Sequence, residues 1–197
     1  MDFVTKFFDK VPMIGVFVSF AAYFLGMKFP DWDFKMHLAH RNILTHSPLI
    51  LVIFIRFYEE SGNELFRFFL MGFSLALALH FIFDMYPRGW SGGALIKIVF
   101  RKSVCNPRFS KMILLFSAVV SAIVAVAYTK NLMEFYYLGI IGLITILKDT
   151  LKEEKLFRPL FSFLLFVFVL GSIKYGELFL SLKSGTNYLY NQISMFF

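Results

Sequence analysis

Six apolar runs, joined by polar connections of which 87–111 is the longest, constrain this chain more than any other feature. They cover residues 11–27, 43–58, 65–86, 112–128, 132–147 and 157–182. A bilayer's hydrocarbon core of roughly 30 Å needs about 20 mostly apolar residues per crossing helix. The apolar residues also come as continuous stretches, where a soluble helix would alternate them with polar ones. Hydrophobic residues make up 58 % of the 197, and Phe alone occurs 28 times. The expected fold class is therefore all-α: a polytopic integral membrane protein with about six transmembrane helices in one domain, 1–197.

Breaks between the runs are chemically legible. Pro30 ends the first run, because proline lacks the amide that would continue the helix. Glu59, Glu60, Ser61, Gly62 and Asn63 form a polar turn, so runs two and three read as an antiparallel hairpin. The second run is short for a span. The segment 94–102, ALIKIVFRK, reads equally as a short strand or an interfacial helix, and the tail 187–197 as a weakly amphipathic surface segment. Lys6 and Lys10 precede the first run as in a signal peptide, but no small-x-small pattern closes it, so it is read as a retained helix.

Charge then orients the expected bundle. The formal charge is +7, which in this composition points to membrane orientation and anionic lipid headgroups and disfavours nucleic acid. With six spans, thirteen of the 20 Lys and Arg residues fall on the side holding loops 28–47, 87–111 and 148–158. By the positive-inside tendency that side faces the cytoplasm of an inner-membrane protein, with both termini outside. The single cysteine, Cys105, excludes an intramolecular disulfide and a Cys-rich zinc site.

Against this apolar background the histidines stand out. All four lie within 44 residues: His37, His40, His46 and His80. Asp31 and Asp33 precede them, and Asp84 follows His80 at i+4, on the same helix face. His37 and His40, at i and i+3, would share a face too if their segment is helical. Antiparallel alternation brings the end of run one, the approach to run two and the end of run three to one membrane face. Imidazole and carboxylate suit a divalent ion of the zinc, manganese or iron type. More than four candidate ligands leave room for an open position, or for two ions bridged by a carboxylate. Arg41 and Arg88 lie beside the candidates, where a guanidinium holds phosphate or carboxylate and equally anchors to headgroups. Thr45 and Ser47 read as site residues or as N-caps of the second helix. Lys174 and Glu177, i and i+3 in the last run, read as a pair near the opposite surface.

The order PDWD, HRNILTHS, HFIFD and PRGW resembles the YdjM-like inner-membrane proteins, classed as predicted metal-dependent hydrolases. The match spans roughly residues 28–92, leaving helices of 111–182 as scaffold. The resemblance implies Asp31, Asp33, His40, His46, His80 and Asp84 as the metal-site set, with Arg41, Thr45 and Ser47 in support. One extra residue separates His40 from His46 relative to the family pattern, and His37 is a possible replacement ligand. Asp33, Arg41 and Arg88 are the candidate catalytic residues, the arginines to steady negative charge. The expected function is hydrolysis of a phosphate-containing or lipid ester at the cytoplasmic membrane face, with one or two divalent ions, zinc first. The alternative is a non-enzymatic protein with a structural metal site, or a transporter of protons or metal through His80 and Asp84.

Overall fold

The computed structural model describes residues 11–87, 90–91, 94–98, 104–153 and 157–176. Six α-helices account for most of them: α1 Met13–Lys28, α2 Leu49–Ser61, α3 Glu64–Asp84, α4 Pro107–Ala127, α5 Leu132–Glu153 and α6 Phe157–Lys174. No strand occurs among the described residues. Three helices, α3, α4 and α6, are long and apolar enough to cross a membrane, and α1 is a shorter apolar helix. The expected helical class and the order of its elements are thus present.

Helix α3 is the axis of the bundle. Fourteen of its 21 residues are buried, and it packs along α1 on one side and α4 on the other. The α1 contact is close because small residues line it: Gly15, Ser19, Ala22 and Gly26 are all buried, a stripe that lets two backbones approach. Gly72 on α3 lies directly against the Ser19 backbone, where a Cβ has no space, and Gly26 faces the Phe73 carbonyl and Ala76. Helix α2 is held to α3 by aromatic edges: Phe54 meets Phe69 at 5.2 Å and Phe73 at 5.1 Å between ring centroids. Gly62, at φ 60°, closes α2 in the left-handed region, and the Asn63 side chain accepts from the Leu65 amide to start α3.

At the end of α3 remote from the histidines, Arg67 and Glu134 form a buried two-pronged pair. Nη1 donates to Oε2 at 2.7 Å and Nη2 to Oε1 at 2.9 Å. Arg67 also donates to Glu64 and to the Tyr128 carbonyl, while Lys130 reaches Glu64. Of the expected Lys174 and Glu177 pair, Glu177 lies outside the described residues, and Lys174 donates to the Val126, Ala127 and Thr129 carbonyls, closing the end of α4.

Several boundaries differ from the sequence reading for stated reasons. Helix α2 begins at Leu49 and not near 43, because residues 42–46 form a tight turn whose amides bind the Asn42 carbonyl. Pro48 occupies the N-cap, with no side-chain cap from Thr45 or Ser47. Helix α4 begins at Pro107, five residues early, capped by Asn106 Oδ1 accepting from Phe109. Of the segment 94–102, residues 95–98 form neither strand nor helix, with Lys97 making isolated bridges to Asn42 and Val104, and residues 99–102 lie outside the described residues. Arg88, Lys6, Lys10, Glu177 and the tail lie outside the described residues.

Two variants test this packing by chemical unfolding in detergent. Glu134→Gln strands the buried Arg67 charge and should cost about 3–5 kcal/mol. Gly72→Val should push α1 off α3 and cost about 1–3 kcal/mol. Wild-type stability in both would contradict the assigned roles.

Candidate metal centre

Between α1 and α2 the chain makes a compact polar loop. A 3-10 turn, Pro30–Asp33, carries Asp31 outward and Asp33 inward. The Asp33 carboxylate, wholly buried, accepts from the Phe34 amide at 2.7 Å and from the Arg41 amide at 2.6 Å. That second bond closes an eight-residue loop on itself. His37 and Arg41 take left-handed backbone conformations, at φ 55° and 57°, so the expected helical face shared by His37 and His40 does not form. Non-glycine residues pay about 1–2 kcal/mol for this conformation. At Arg41 the amide bond to Asp33 and the Lys97 amide donating to the Arg41 carbonyl at 3.0 Å hold it there.

The Arg41 side chain then fixes the end of α3. Its Nη2 donates to Asp84 Oδ1 at 2.7 Å and its Nη1 to the Ala94 carbonyl at 2.7 Å. With Oδ1 committed, Asp84 presents Oδ2 to two imidazoles. His46 Nε2 lies 3.3 Å from it and His80 Nε2 3.5 Å. The His46 and His80 rings are 5.8 Å apart at 67°. His46 is 1 % exposed and packs against Phe81 on α3, and its carbonyl accepts from Ser117 on α4.

Hydrogen bonding shows what this group can hold. His80 Nδ1 sits 3.0 Å from the Met27 carbonyl, and a carbonyl only accepts, so Nδ1 bears the proton and Nε2 keeps its lone pair in neutral imidazole. His46 Nε2 and Asp84 Oδ2 are close, yet not aligned for a hydrogen bond, and each is a buried polar atom with no hydrogen-bond partner. Buried polar atoms are nearly always satisfied, so two such atoms facing each other mark a place suited to a cation. Donors bound tetrahedrally at about 2.0–2.1 Å stand roughly 3.3–3.4 Å apart, close to the two separations seen. Among the described residues, His46, His80 and Asp84 are the group whose ligand atoms all lie within 4.8 Å of one another, and they could hold a metal ion.

The other sequence candidates fall outside that triad. Asp31 is nearest, its Oδ1 4.0 Å from His80 Nε2, but its side chain is 60 % exposed. Asp33 serves the backbone and stands 3.3 Å from His40 Nδ1. His40 stacks on Phe34 at 4.9 Å and sits edge-on to His46 at 6.3 Å, beside the triad and half-exposed. His37 is exposed, because the loop closure turns it away. Ser47 is buried, its hydroxyl without a partner. Sequence reasoning missed the backbone contributions of Met27, Asn42, Ala94 and Lys97. Only Asn42 left a trace: an Asn two residues before Leu44 forms the Asx turn in which Oδ1 accepts from the Leu44 amide at 3.1 Å.

An all-helical, strongly apolar chain thus carries two imidazoles and a carboxylate disposed for a divalent ion. Comparison with protein-family models, with curated proteins and with solved structures gave no match.

Elemental analysis of protein purified without chelator checks the centre. Wild type should carry one divalent ion per chain, His46→Ala and Asp84→Ala should carry none, and His37→Asn, at an exposed position outside the triad, should keep its ion. A metal-free wild type contradicts the assignment.

Proposed function

We propose that the chain is a polytopic membrane protein with about six spans and that its His46, His80 and Asp84 centre serves a metal-dependent hydrolase. The convergence of these three donors from two separate elements carries the reading, and the resemblance to YdjM-like proteins agrees with it. The substrate class is a phosphate-containing or lipid ester, reached from the cytoplasmic face of the inner membrane.

Membrane embedding is supported by what faces outward. Phe17, Phe20 and Phe24 on α1, Val52, Ile53 and Phe57 on α2, and Phe161 and Phe168 on α6 are exposed apolar side chains, a surface suited to lipid. Both tryptophans lie at the metal end, each beneath a lysine: Lys35 Nζ is 5.6 Å from the Trp32 ring and Lys111 Nζ 5.0 Å from Trp90. Aromatic and basic pairs of this kind mark the headgroup level and anionic lipid. Helix α1 has 16 residues and α2 has 13, about 24 and 20 Å at 1.5 Å per residue, short of a full crossing. Short apolar helices of this kind are accommodated by local thinning of the bilayer.

Each residue has a role in this reading. His46 and His80 give Nε2 and Asp84 gives Oδ2 to the ion. Arg41 restrains Asp84 to one free oxygen. Asp31, exposed and 4.0 Å from His80 Nε2 but outside the three-residue group, would line the approach to the ion. His40 stands at the rim, its Nδ1 3.3 Å from the Asp33 carboxylate. Arg88 and Arg41 were the sequence candidates for steadying negative charge. Arg41 is occupied by Asp84 and Ala94, and Arg88 lies outside the described residues. A bound ion supplies hydrolytic chemistry by bringing the pKa of water to about 7.

The near-complete burial of His46 favours a second reading, an ion that only braces loop 29–48 against α3. A screen of phosphomonoesters, phosphodiesters and phospholipids in nanodiscs separates the two. The hydrolase turns over at least one class, His80→Ala and Asp84→Ala abolish turnover, and Asp31→Asn lowers it about tenfold. Turnover surviving both ligand variants contradicts the hydrolase. Stoichiometric metal with no turnover supports the brace.

A further inference from the structure

Helix α1 keeps turning beyond its last residue. Phe29 and Phe34 hold right-handed helical backbone angles on either side of the Pro30–Asp33 turn, and the amides of Phe29, Trp32 and Met36 donate to the Leu25, Phe29 and Trp32 carbonyls. One pattern of faces therefore carries through from 17 to 35. Ser19, Ala22, Tyr23, Gly26, Pro30 and Asp33 turn inward. Phe17, Phe20, Phe24, Lys28, Asp31 and Lys35 are exposed at steps of three and four, the spacing of a single helix face.

That outer face changes character along its length. Its first part is aromatic hydrocarbon and its last part is charged, with Lys35 Nζ 5.6 Å from the Trp32 ring. Among the described residues neither Lys28 nor Lys35 is in an ion pair. From Phe17 to Lys28 the face rises about 16 Å at 1.5 Å per residue, about half of a roughly 30 Å hydrocarbon core. The cations thus stand at the level of lipid phosphates and the phenylalanines at the level of acyl chains. The same face leads to the open corner of the triad. His46 is sealed at 1 % exposure, whereas His80 and Asp84 keep 12 % and 16 % of their side chains exposed and Asp31, its Oδ1 4.0 Å from His80 Nε2, keeps 60 %. Access to the three donor atoms is therefore from the side of Asp31, which lies between Lys28 and Lys35 on the face. A divalent ion in the triad would add two positive charges there, so the corner attracts anions in spite of the Asp31 carboxylate.

We propose that the outer face of α1 is the dock for the substrate of this centre, and that the substrate is an anionic phospholipid, its acyl chain along Phe17, Phe20 and Phe24 and its phosphate held by Lys28 and Lys35 at the open corner. The dock deepens the hydrolase reading: its meaning as a substrate site rests on that reading, whereas lipid binding there does not. A water-soluble phosphoester gains nothing from the aromatic part of the face. A zwitterionic lipid gains little from the two lysines, since it carries its own cation beside the phosphate.

The test uses the full chain in phosphatidylcholine vesicles. The sequence has two tryptophans, so Trp90→Phe leaves Trp32 as the reporter at the dock. Dibrominated phosphatidylglycerol and dibrominated phosphatidylcholine, added at the same fraction, quench Trp32 according to their occupancy beside it. Phosphatidylglycerol should be preferred about tenfold, and Lys28→Gln combined with Lys35→Gln should bring the ratio near unity. The ratio cancels any change that the lost lysine makes to Trp32 itself. Equal quenching by the two lipids before the lysines are changed overturns the proposal, as does a preference that survives the double variant. If Trp90→Phe does not fold, native mass spectrometry decides: wild type should retain one phosphatidylglycerol per chain and the double variant none, and equal retention overturns the proposal. Turnover separates the dock from the hydrolase. With a long-chain anionic phospholipid the double variant should raise KM about tenfold, and an unchanged KM overturns the dock. A lysine-dependent preference with no turnover of any ester keeps the dock as a lipid site and removes the hydrolase. Turnover confined to soluble phosphoesters keeps the hydrolase and overturns the proposed substrate.

Discussion

The ion pair between Arg41 and Asp84 is the contact on which the rest of the site depends. It joins the loop between α1 and α2 to the end of α3, the most buried of the three long apolar helices. A buried pair of this kind gives little net stability, because desolvation offsets most of the attraction. What it fixes is geometry. Asp84 Oδ1 is taken, Oδ2 is left facing two imidazoles, and the left-handed turn at Arg41 is tied at the amide by Asp33 and at the guanidinium by Asp84 and Ala94. Removing the guanidinium would release the carboxylate and the Ala94 carbonyl, while the backbone bonds of residue 41 to Asp33 and Lys97 would remain.

Helix α3 sets two polar layers apart. The Arg67 and Glu134 pair stands near its start and His80 and Asp84 near its end, about 20 Å apart at 1.5 Å per residue. Between them the helix is packed by Leu70, Met71, Ala76, Leu77 and Leu79, all fully buried. The remote layer is saturated: both Glu134 oxygens and the Arg67 nitrogens have partners. The metal layer is not, since His46 Nε2 and Asp84 Oδ2 are left open to each other. Saturation suits a brace and open donors suit a ligand, and this contrast separates two charged clusters that look alike in sequence.

Much of the fold was legible because apolar runs and their breakers act locally. Pro30, Gly62 and Asn63 punctuate the chain where the sequence indicates. His80 and Asp84 were legible as a pair because helical spacing alone puts them on one face. The ligand from the loop was harder. His37, His40 and His46 are alike in composition, and their choice depends on Asp33 reaching forward to the Arg41 amide, a closure that no periodicity announces. The same closure explains why an Asp in the best motif position serves the backbone. Thr45 was visible as a polar residue near a helix start, where capping is the ordinary expectation, and Pro48 took that position instead.

The central claim is that His46, His80 and Asp84 bind one divalent ion, and X-ray absorption at the zinc edge of the zinc-loaded protein tests it most directly. A zinc ion held by these residues should show nitrogen and oxygen donors at about 2.0–2.1 Å with the outer-shell scattering of two imidazole rings. A shell without imidazole scattering, or one containing sulfur at about 2.3 Å, would contradict it.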